Sequence, residues 1–491
     1  MTLLNASTME ALGARAQLPR YDRRAVSTGI VHIGVGGFHR AHHAMYVDRL
    51  MNDGEAMDWG ICGVGLLAGD ARMRDALTSQ DGLYTLVLKY PDGTWQPRVI
   101  GSIVEYLYAP DDPDAVVERM ADEAVRIISL TITEGGYNID PLTRRFDLSA
   151  PAVVADLHND RPATVFGLIT EALTRRRRRG IRPFTVLSCD NVPSNGQVAR
   201  TALTAFARAR APELGEWART HVRFPNSMVD RITPQTTDED RAEISERFGI
   251  ADRWPVVAEP FSQWFFEDDF SDGRPPYEDA GAQVVDDVEP YEMMKLRLLN
   301  AGHQVLGCLG YLAGYRMLHE AAQDPLFAGL LAGYMDREAT PTLRPVPGID
   351  LPTYKRELIE RFSNAGTGDT VARQCVDVSD RIPTFLLPVV RDQLARGGEV
   401  GRAAAAVAGW ARYAEGVDEQ GNAIDVIDGR RDAIMAAARR YPADPLAFVR
   451  QKDIFGDLAD DSRFAAPYLA VLASLHAHGA RRALARLAAL V

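Results

Sequence analysis

The chain has 491 residues, 46% of them hydrophobic and 25% charged, more than one hydrophobic core organises, so two large domains are expected. A formal charge of −12 opposes binding to a nucleic-acid backbone, and Cys62, Cys189, Cys308 and Cys375 form no CxxC pair, which predicts neither a zinc knuckle nor a disulfide framework. The first residues lack the basic start and apolar block of a signal peptide, and no apolar run reaches the ~20 residues of a membrane span, so a cytoplasmic protein without membrane partners is expected.

In chain order, candidate strands fall at 29–34, 59–66, 126–133, 184–188 and 254–258, with helical patterns at 71–79 and 164–179 between them. This alternation predicts a mostly parallel sheet covered by helices, an N-terminal Rossmann-like α/β domain over residues 1–286. The arginines at 175–179 precede Gly180 and read as the solvated, cation-rich end of a helix. Beyond residue 287 strand signals nearly vanish. Alanine- and leucine-rich stretches, broken at Arg344-Pro-Val-Pro-Gly-Ile-Asp350, predict a mainly helical C-terminal domain over 287–491.

The first strand candidate runs into Ile33-Gly34-Val35-Gly36-Gly37-Phe38-His39-Arg40, a glycine turn that opens a helix extending to about Asn52. Backbone at such a turn approaches a pyrophosphate, which then rests on the helix N-terminus. The third glycine of the usual pattern is His39 here, and a tight connection without ligand is the alternative. Two readings stand for Asp70, which follows the second strand candidate. It could accept the adenosine ribose hydroxyls, favouring NAD over NADP, or cap the helix that begins at Ala71. His39, His42 and His43 share a helix face and invite a metal reading. No carboxylate or cysteine stands at ligand spacing, so packing or cofactor contacts are expected and no metal.

Lys295 lies in Pro290-Tyr-Glu292-Met-Met-Lys295-Leu-Arg-Leu-Leu-Asn300-Ala-Gly-His303, a predicted continuous helix that is apolar on nearly every side. At about 100° per residue, Glu292, Lys295, Asn300 and His303 project within an arc of roughly 140°. A lysine kept partly out of water loses proton affinity and can act as a base near neutral pH. Alcohol oxidation needs one, because the hydroxyl proton must leave as hydride passes to a nicotinamide. Asn300 and His303 could hold the hydroxyl or its oxyanion; a surface Lys295–Glu292 ion pair is the alternative. Three further stretches set amides or carboxylates at the ends of apolar runs, where open sheets bind ligands: Ser188-Cys-Asp190-Asn191, Asn226-Ser-Met-Val-Asp230-Arg231 and Thr133-Glu134-Gly-Gly-Tyr137. Each alone is an ordinary strand end. Together with the glycine turn and the lysine they point to a site.

The runs Gly34-Val-Gly-Gly-Phe-His-Arg-Ala-His42, Thr133-Glu-Gly-Gly-Tyr137, Ser188-Cys-Asp-Asn191, Asp230-Arg-Ile-Thr-Pro234 and Lys295-x4-Asn300-x2-His303 jointly resemble the polyol-specific long-chain dehydrogenases. The likeness continues through Pro347-Gly-Ile-Asp350 and Arg361-Phe-Ser-Asn364. It implies a zinc-independent, NAD-dependent enzyme, often monomeric, that interconverts D-mannitol and D-fructose in the cleft between its two domains. The resemblance makes Lys295 the general base, Asn191 and Asn300 the oxyanion site, and His303 the group that orients the reacting alcohol. Glu292 then lies on a proton path, Asp230 and Arg373 contact the polyol chain, and Asp70 and Glu134 join residues 33–40 beside the cofactor. Two positions depart from the family pattern. Gly69 replaces an acidic neighbour of Asp70, which leaves room for NADP, and Arg381 replaces a lysine that reaches toward the substrate. D-Arabinitol, D-sorbitol or a hexuronate such as fructuronate are therefore alternative substrates, with Arg373 and Arg381 able to serve a carboxylate. From another class, a cofactor-sensing binding protein on the same fold is the alternative.

Overall fold

Five short runs rich in isoleucine, valine and leucine form a parallel sheet in a computed structural model that describes residues 2–140, 143, 145–159 and 161–489. They are β1 (Thr28–Ile33), β2 (Gly60–Gly65), β3 (Ile103–Tyr108), β4 (Ile127–Leu130) and β5 (Thr185–Ser188), in the order β3-β2-β1-β4-β5. Every neighbouring pair runs parallel. β1, β2, β4 and β5 are almost wholly buried, so their sequences are near-continuous apolar runs rather than alternating ones. Ile30, Ile61, Ile127 and Leu187 pack on one face against the helix His43–Asn52. Val31, Val64, Ile128 and Val186 pack on the other, against Pro113–Ala121, Val165–Arg179 and Asn195–Arg210. The chain is thus doubly wound, and the strand order reverses between β1 and β4, the topological switch point where open α/β sheets take their ligands.

Two expectations are corrected. The candidate strand at 254–258 does not join the parallel sheet. Val256–Ala258 pairs with Tyr84–Lys89, which pairs with Trp95–Ile100, in a separate three-stranded sheet. The edge of the parallel sheet is instead β3, a half-buried run whose Glu105 and tyrosines hide its strand character. The arginine run does end a helix with Arg177, Arg178 and Arg179 exposed, as expected, but its first two members are not simply solvated. Arg176 is fully buried and its guanidinium donates to the carbonyls of Met120, Asp122, Val125 and Arg182, while Arg175 bridges Asp114, Glu118 and Glu171. These bonds fasten Val165–Arg179 to Pro113–Ala121.

The chain divides into two compact units, one of Met1–Tyr90 and Thr94–Glu289, the other of Pro91–Gly93 and Pro290–Val491. The second is mostly helical and holds no β-strand among its described residues. Its central helix, Ala301–Leu312, packs on Gly401–Tyr413, whose buried alanines at 403–406 let the two backbones approach closely. Gly409 lies at a close approach: a Cβ there would sit 2.6 Å from Leu309 Cγ. Among the described residues no helix is long and apolar enough to cross a membrane.

Candidate active site

The switch point is walled by the turn after β1 and the segment after β4. Gly34 adopts φ +93°, and a Cβ on it would sit 2.1 Å from the carbonyl oxygen of Thr131, so only glycine fits. Thr131 Oγ1 donates to Gly34 O at 2.7 Å, joining the two walls. Gly36 N donates to Gly34 O at 2.7 Å, and the chain then enters the helix Gly37–Ala41, whose first N–H groups lack intrahelical acceptors. Gly34, Gly36, Gly37 and Phe38 keep exposure there, whereas Ile33, Val35, His39 and Arg40 are buried. Arg40 donates through Nε to Gly36 O at 3.3 Å and through Nη1 to Trp254 O, with its guanidinium 5.2 Å from the Tyr84 ring centroid.

The expected single helix to Asn52 is two, Gly37–Ala41 and His43–Asn52, broken at His42 where ψ is −92°. The break lets four imidazoles pack in one buried cluster. His32 and His39 stack with centroids 3.3 Å apart and planes 12° apart, His42 Nε2 reaches Gln263 O at 3.0 Å, and His43 Nε2 meets Tyr277 OH at 2.9 Å. His32, from β1, also meets Ser129 Oγ at 2.8 Å and Thr131 Oγ1 at 3.0 Å, tying β1 to β4. Burial holds all four rings neutral, His42 and His43 titrating at about 3 and His32 and His39 well below their ordinary range. The histidines whose nitrogens gather within 4.8 Å are His32, His39 and His43, not the trio expected from helix spacing. Stacked rings direct their lone pairs into near-parallel planes, so His32 and His39 do not converge on one ion as they stand.

At the end of β2, Asp70 turns its Oδ2 back to accept from Leu66 N and Leu67 N, both at 2.9 Å. It makes no side-chain cap for Ala71–Ser79, which removes the helix-cap reading. After β4, the short helix Thr133–Gly136 exposes Glu134. Its first residue is strained, because Thr133 is β-branched and has φ 60°. Asp190, at the end of β5, accepts from Ile132 N at 3.0 Å, Thr133 N at 2.9 Å and Tyr137 OH at 2.7 Å. Asn191 follows it, exposed. Asp230 lies apart from the parallel sheet, on Ser227–Asp230, which runs antiparallel to Gln263–Glu267. It is 3% exposed, and the neighbouring Arg231 donates to Ala41 O at 2.6 Å, fastening this strand to the end of the glycine-turn helix.

In the second unit, Glu292, Lys295 and His303 are buried at 7%, 3% and 7% exposure. The expected continuous α-helix is interrupted: Glu289–Lys295 and Ala301–Leu312 are α-helical, but Leu296–Asn300 forms a π-helical turn. An i→i+5 turn carries residue 300 nearly over residue 295, where a regular helix would set it about 140° away. Lys295, Asn300 and, one turn on, His303 thus share a face. Asn300 Oδ1 and His303 Nε2 are both buried without a hydrogen-bond partner within the protein, so a hydroxyl or a water placed between them can satisfy both. Burial, reinforced by the charges of Arg373, Arg381, Arg361 and Lys295, holds His303 neutral. Arg373 is anchored on Asp369 at 2.8 Å, Arg381 donates to Arg373 O at 3.2 Å, and Phe362 packs on the His303 ring at 4.3 Å between centroids. Arg361 and Asp190 are visible in the sequence only through the motifs that contain them.

The first unit carries a glycine turn at the switch point of a doubly wound sheet, where such folds take a dinucleotide, and the second carries a buried lysine beside a buried histidine and an asparagine, the residue types that alcohol oxidation by a dinucleotide-dependent oxidoreductase calls for. That is the class these features define. Residues 28–279 match the mannitol dehydrogenase Rossmann domain and residues 287–475 the mannitol dehydrogenase C-terminal domain. The chain is 45% identical to a mannitol 2-dehydrogenase of Phaeosphaeria nodorum over 490 residues, 99% of this chain and 85% of the relative. It is 46% identical to one of Aspergillus fumigatus over 460 residues, 92% and 91% of the two chains. The solved Pseudomonas fluorescens mannitol 2-dehydrogenase, a ternary complex with NAD and D-mannitol, superposes with a TM-score of 0.93 at 45% identity, covering 99% of both chains. A D-sorbitol dehydrogenase in substrate-free form gives a TM-score of 0.88 at 39% identity over 98% of this chain and 100% of that one. The chain belongs to the mannitol dehydrogenase family.

Proposed function

We propose that this NAD-dependent polyol dehydrogenase interconverts D-mannitol and D-fructose, with Lys295 as general base and no metal in the reaction. The observation that carries the chemistry is the pair of unmet buried atoms, Asn300 Oδ1 and His303 Nε2, on the same helical face as Lys295. A secondary alcohol bound there meets groups able to donate to and accept from its hydroxyl. NAD, held at the turn from Gly34 to Phe38, would supply the acceptor for the hydride that leaves the carbinol carbon. The hydroxyl proton passes to Lys295 Nζ as the C–O bond becomes a carbonyl, and the amide Nδ2 groups of Asn300 and Asn191 donate to the oxyanion along the way. His303, held neutral by burial and by the cations around it, orients the hydroxyl without adding charge. Glu292 extends the proton path, and Asp230, Arg373 and Arg381 serve the polyol chain.

The turn at Gly34 to Phe38 fits a pyrophosphate, since its exposed backbone opens a helix, and Asp70 at the end of β2 stands where an acid selects ribose hydroxyls over a 2′-phosphate. Glu134, exposed on the short helix after β4, is assigned to the cofactor from that side. Four free, buried cysteines suit a reducing cytoplasm, and we take the working unit to be a monomer.

The cationic cluster of Arg361, Arg373 and Arg381 around His303 favours one second reading, a hexuronate substrate whose carboxylate they would bind. Initial rates with fructose, xylulose, ribulose and fructuronate, each with NADH, separate the two. Fructose is expected to be turned over best. Strong fructuronate turnover with negligible fructose turnover would overturn the substrate assignment.

A further inference from the structure

The segment that walls the switch point on the β4 side is held in an unfavourable conformation. Thr133, a β-branched residue, has φ 60°, a region that costs such residues most, and it opens the turn that carries Glu134. The compensation comes from the neighbouring strand: both carboxylate oxygens of Asp190 are engaged, Oδ1 by Thr133 N and Oδ2 by Ile132 N and Tyr137 OH. Tyr137 is buried and its hydroxyl also meets Ser188 Oγ at 2.6 Å, so the grip closes back on β5. On the other side of Asp190, its carbonyl accepts from Asn195 Nδ2 at 3.1 Å, and that amide also donates to Ser227 O at 2.7 Å. Asn191 opens the four-residue stretch, 191–194, between these anchors.

We propose that Asp190 is a positioning residue for the cofactor: its carboxylate clamps the strained Ile132–Tyr137 turn in the binding-competent form and sets Asn191 beside it. This rests on the reading above that NAD binds at the switch point. Without the clamp the turn relaxes to a conformation with negative φ at Thr133, and the apparent dissociation constant rises by the inverse of the competent fraction. The strain involved corresponds to roughly tenfold to a hundredfold weaker binding. Burial pushes the Asp190 carboxyl up to about 6 against the pull of its three donors, with the negative charge of Glu134 adding to the rise. The titratable groups facing it are Glu134 and Tyr137 from the β4 segment and Cys189 on its own strand. The clamp needs the ionised, acceptor-only form, so NADH affinity should strengthen as pH rises through about 6.

The test is NADH titration by fluorescence on the full chain, with thermal melting in parallel. The parent's own binding is measured first, and a parent that binds no NADH would sink the function proposed above rather than the clamp. Asp190→Asn is expected to bind NADH at least tenfold more weakly than the parent and to lose the dependence on pH near 6. Adding Thr133→Gly, which tolerates positive φ without help, should recover most of the loss, with a gain larger in the Asp190→Asn background than in the parent. A merely structural role would lower the melting temperature and show no such rescue. Should Asp190→Asn fail to fold, Tyr137→Phe, which removes one donor, carries the same readouts with a smaller loss. Unchanged NADH affinity in the variant that folds, or a loss that Thr133→Gly does not restore, overturns the proposal.

Discussion

Gly34→Ala and Gly36→Ala separate the two jobs that a glycine turn performs. At Gly34 the added methyl would lie 2.1 Å from Thr131 O, a backbone atom of β4's exit that cannot swing away, and φ is +93°. Positive φ in a non-glycine residue costs about 1–3 kcal/mol and overpacking typically about 1–3 kcal/mol more, so a total near 2–6 kcal/mol is expected. At Gly36 the methyl would meet only Gly34 O at 3.9 Å, and φ is −99°, so folding should be untouched. That methyl instead projects from the exposed backbone where the pyrophosphate is proposed to rest. Denaturant unfolding and NADH titration on both variants form the assay. Gly34→Ala should lower stability and binding together, whereas Gly36→Ala should keep parental stability and bind NADH at least tenfold more weakly. If Gly36→Ala binds as the parent does, the turn is a connection and not a cofactor cradle. If Gly34→Ala is as stable as the parent, the steric reasoning fails.

Lys295→Ala should remove turnover by several powers of ten while NADH binding stays within about threefold, as expected for loss of a general base; near-parental rates would reject the mechanism. The four clustered histidines, and buried His303 in the second unit likewise, make stability fall in acid. Their folded pKa values lie far below 6.5, so the unfolded chain takes up protons that the folded chain refuses, and stability present above about pH 6.5 is lost as pH drops below it. Each contributes roughly 1 kcal/mol per pH unit; unfolding free energies at pH 7 and 5.5 that agree within error would refute this. Gly409→Ala should destabilise the helical unit by about 1–3 kcal/mol through its contact with Leu309, while Gly401→Ala, in open space, should not. Denaturant midpoints of the two variants check the pair.

Much of the fold is legible locally. β1, β2, β4 and β5 appear as apolar runs because strands covered on both faces need no polar alternation, and helices such as Ala71–Ser79 and Val165–Arg179 follow from periodicity and their boundary residues. β3 stays hidden because an edge strand exposes polar positions that blur its pattern. Val256–Ala258 carries the same apolar signal as the others yet pairs elsewhere, since composition says that a run wants a partner and not which one.

The site divides in the same way. Chemical type is a property of residues: a glycine turn, a lysine flanked by apolar neighbours, asparagines and a histidine at fixed spacing are all readable along the chain. Their geometry is not. The π-helical turn that stacks Asn300 over Lys295 depends on an i→i+5 bonding pattern that no hydrophobic period encodes. The direction of the Asp70 carboxylate, the stacking of His32 on His39 and the grip of Asp190 on Thr133 each join side chains to backbone or rings that folding brings close. Local propensity and turn chemistry act within a few residues and so belong to the sequence itself. Strand order, the strained turn and the neutral state of the buried imidazoles arise from contacts between distant segments and from exclusion of water, which exist only once the chain has packed.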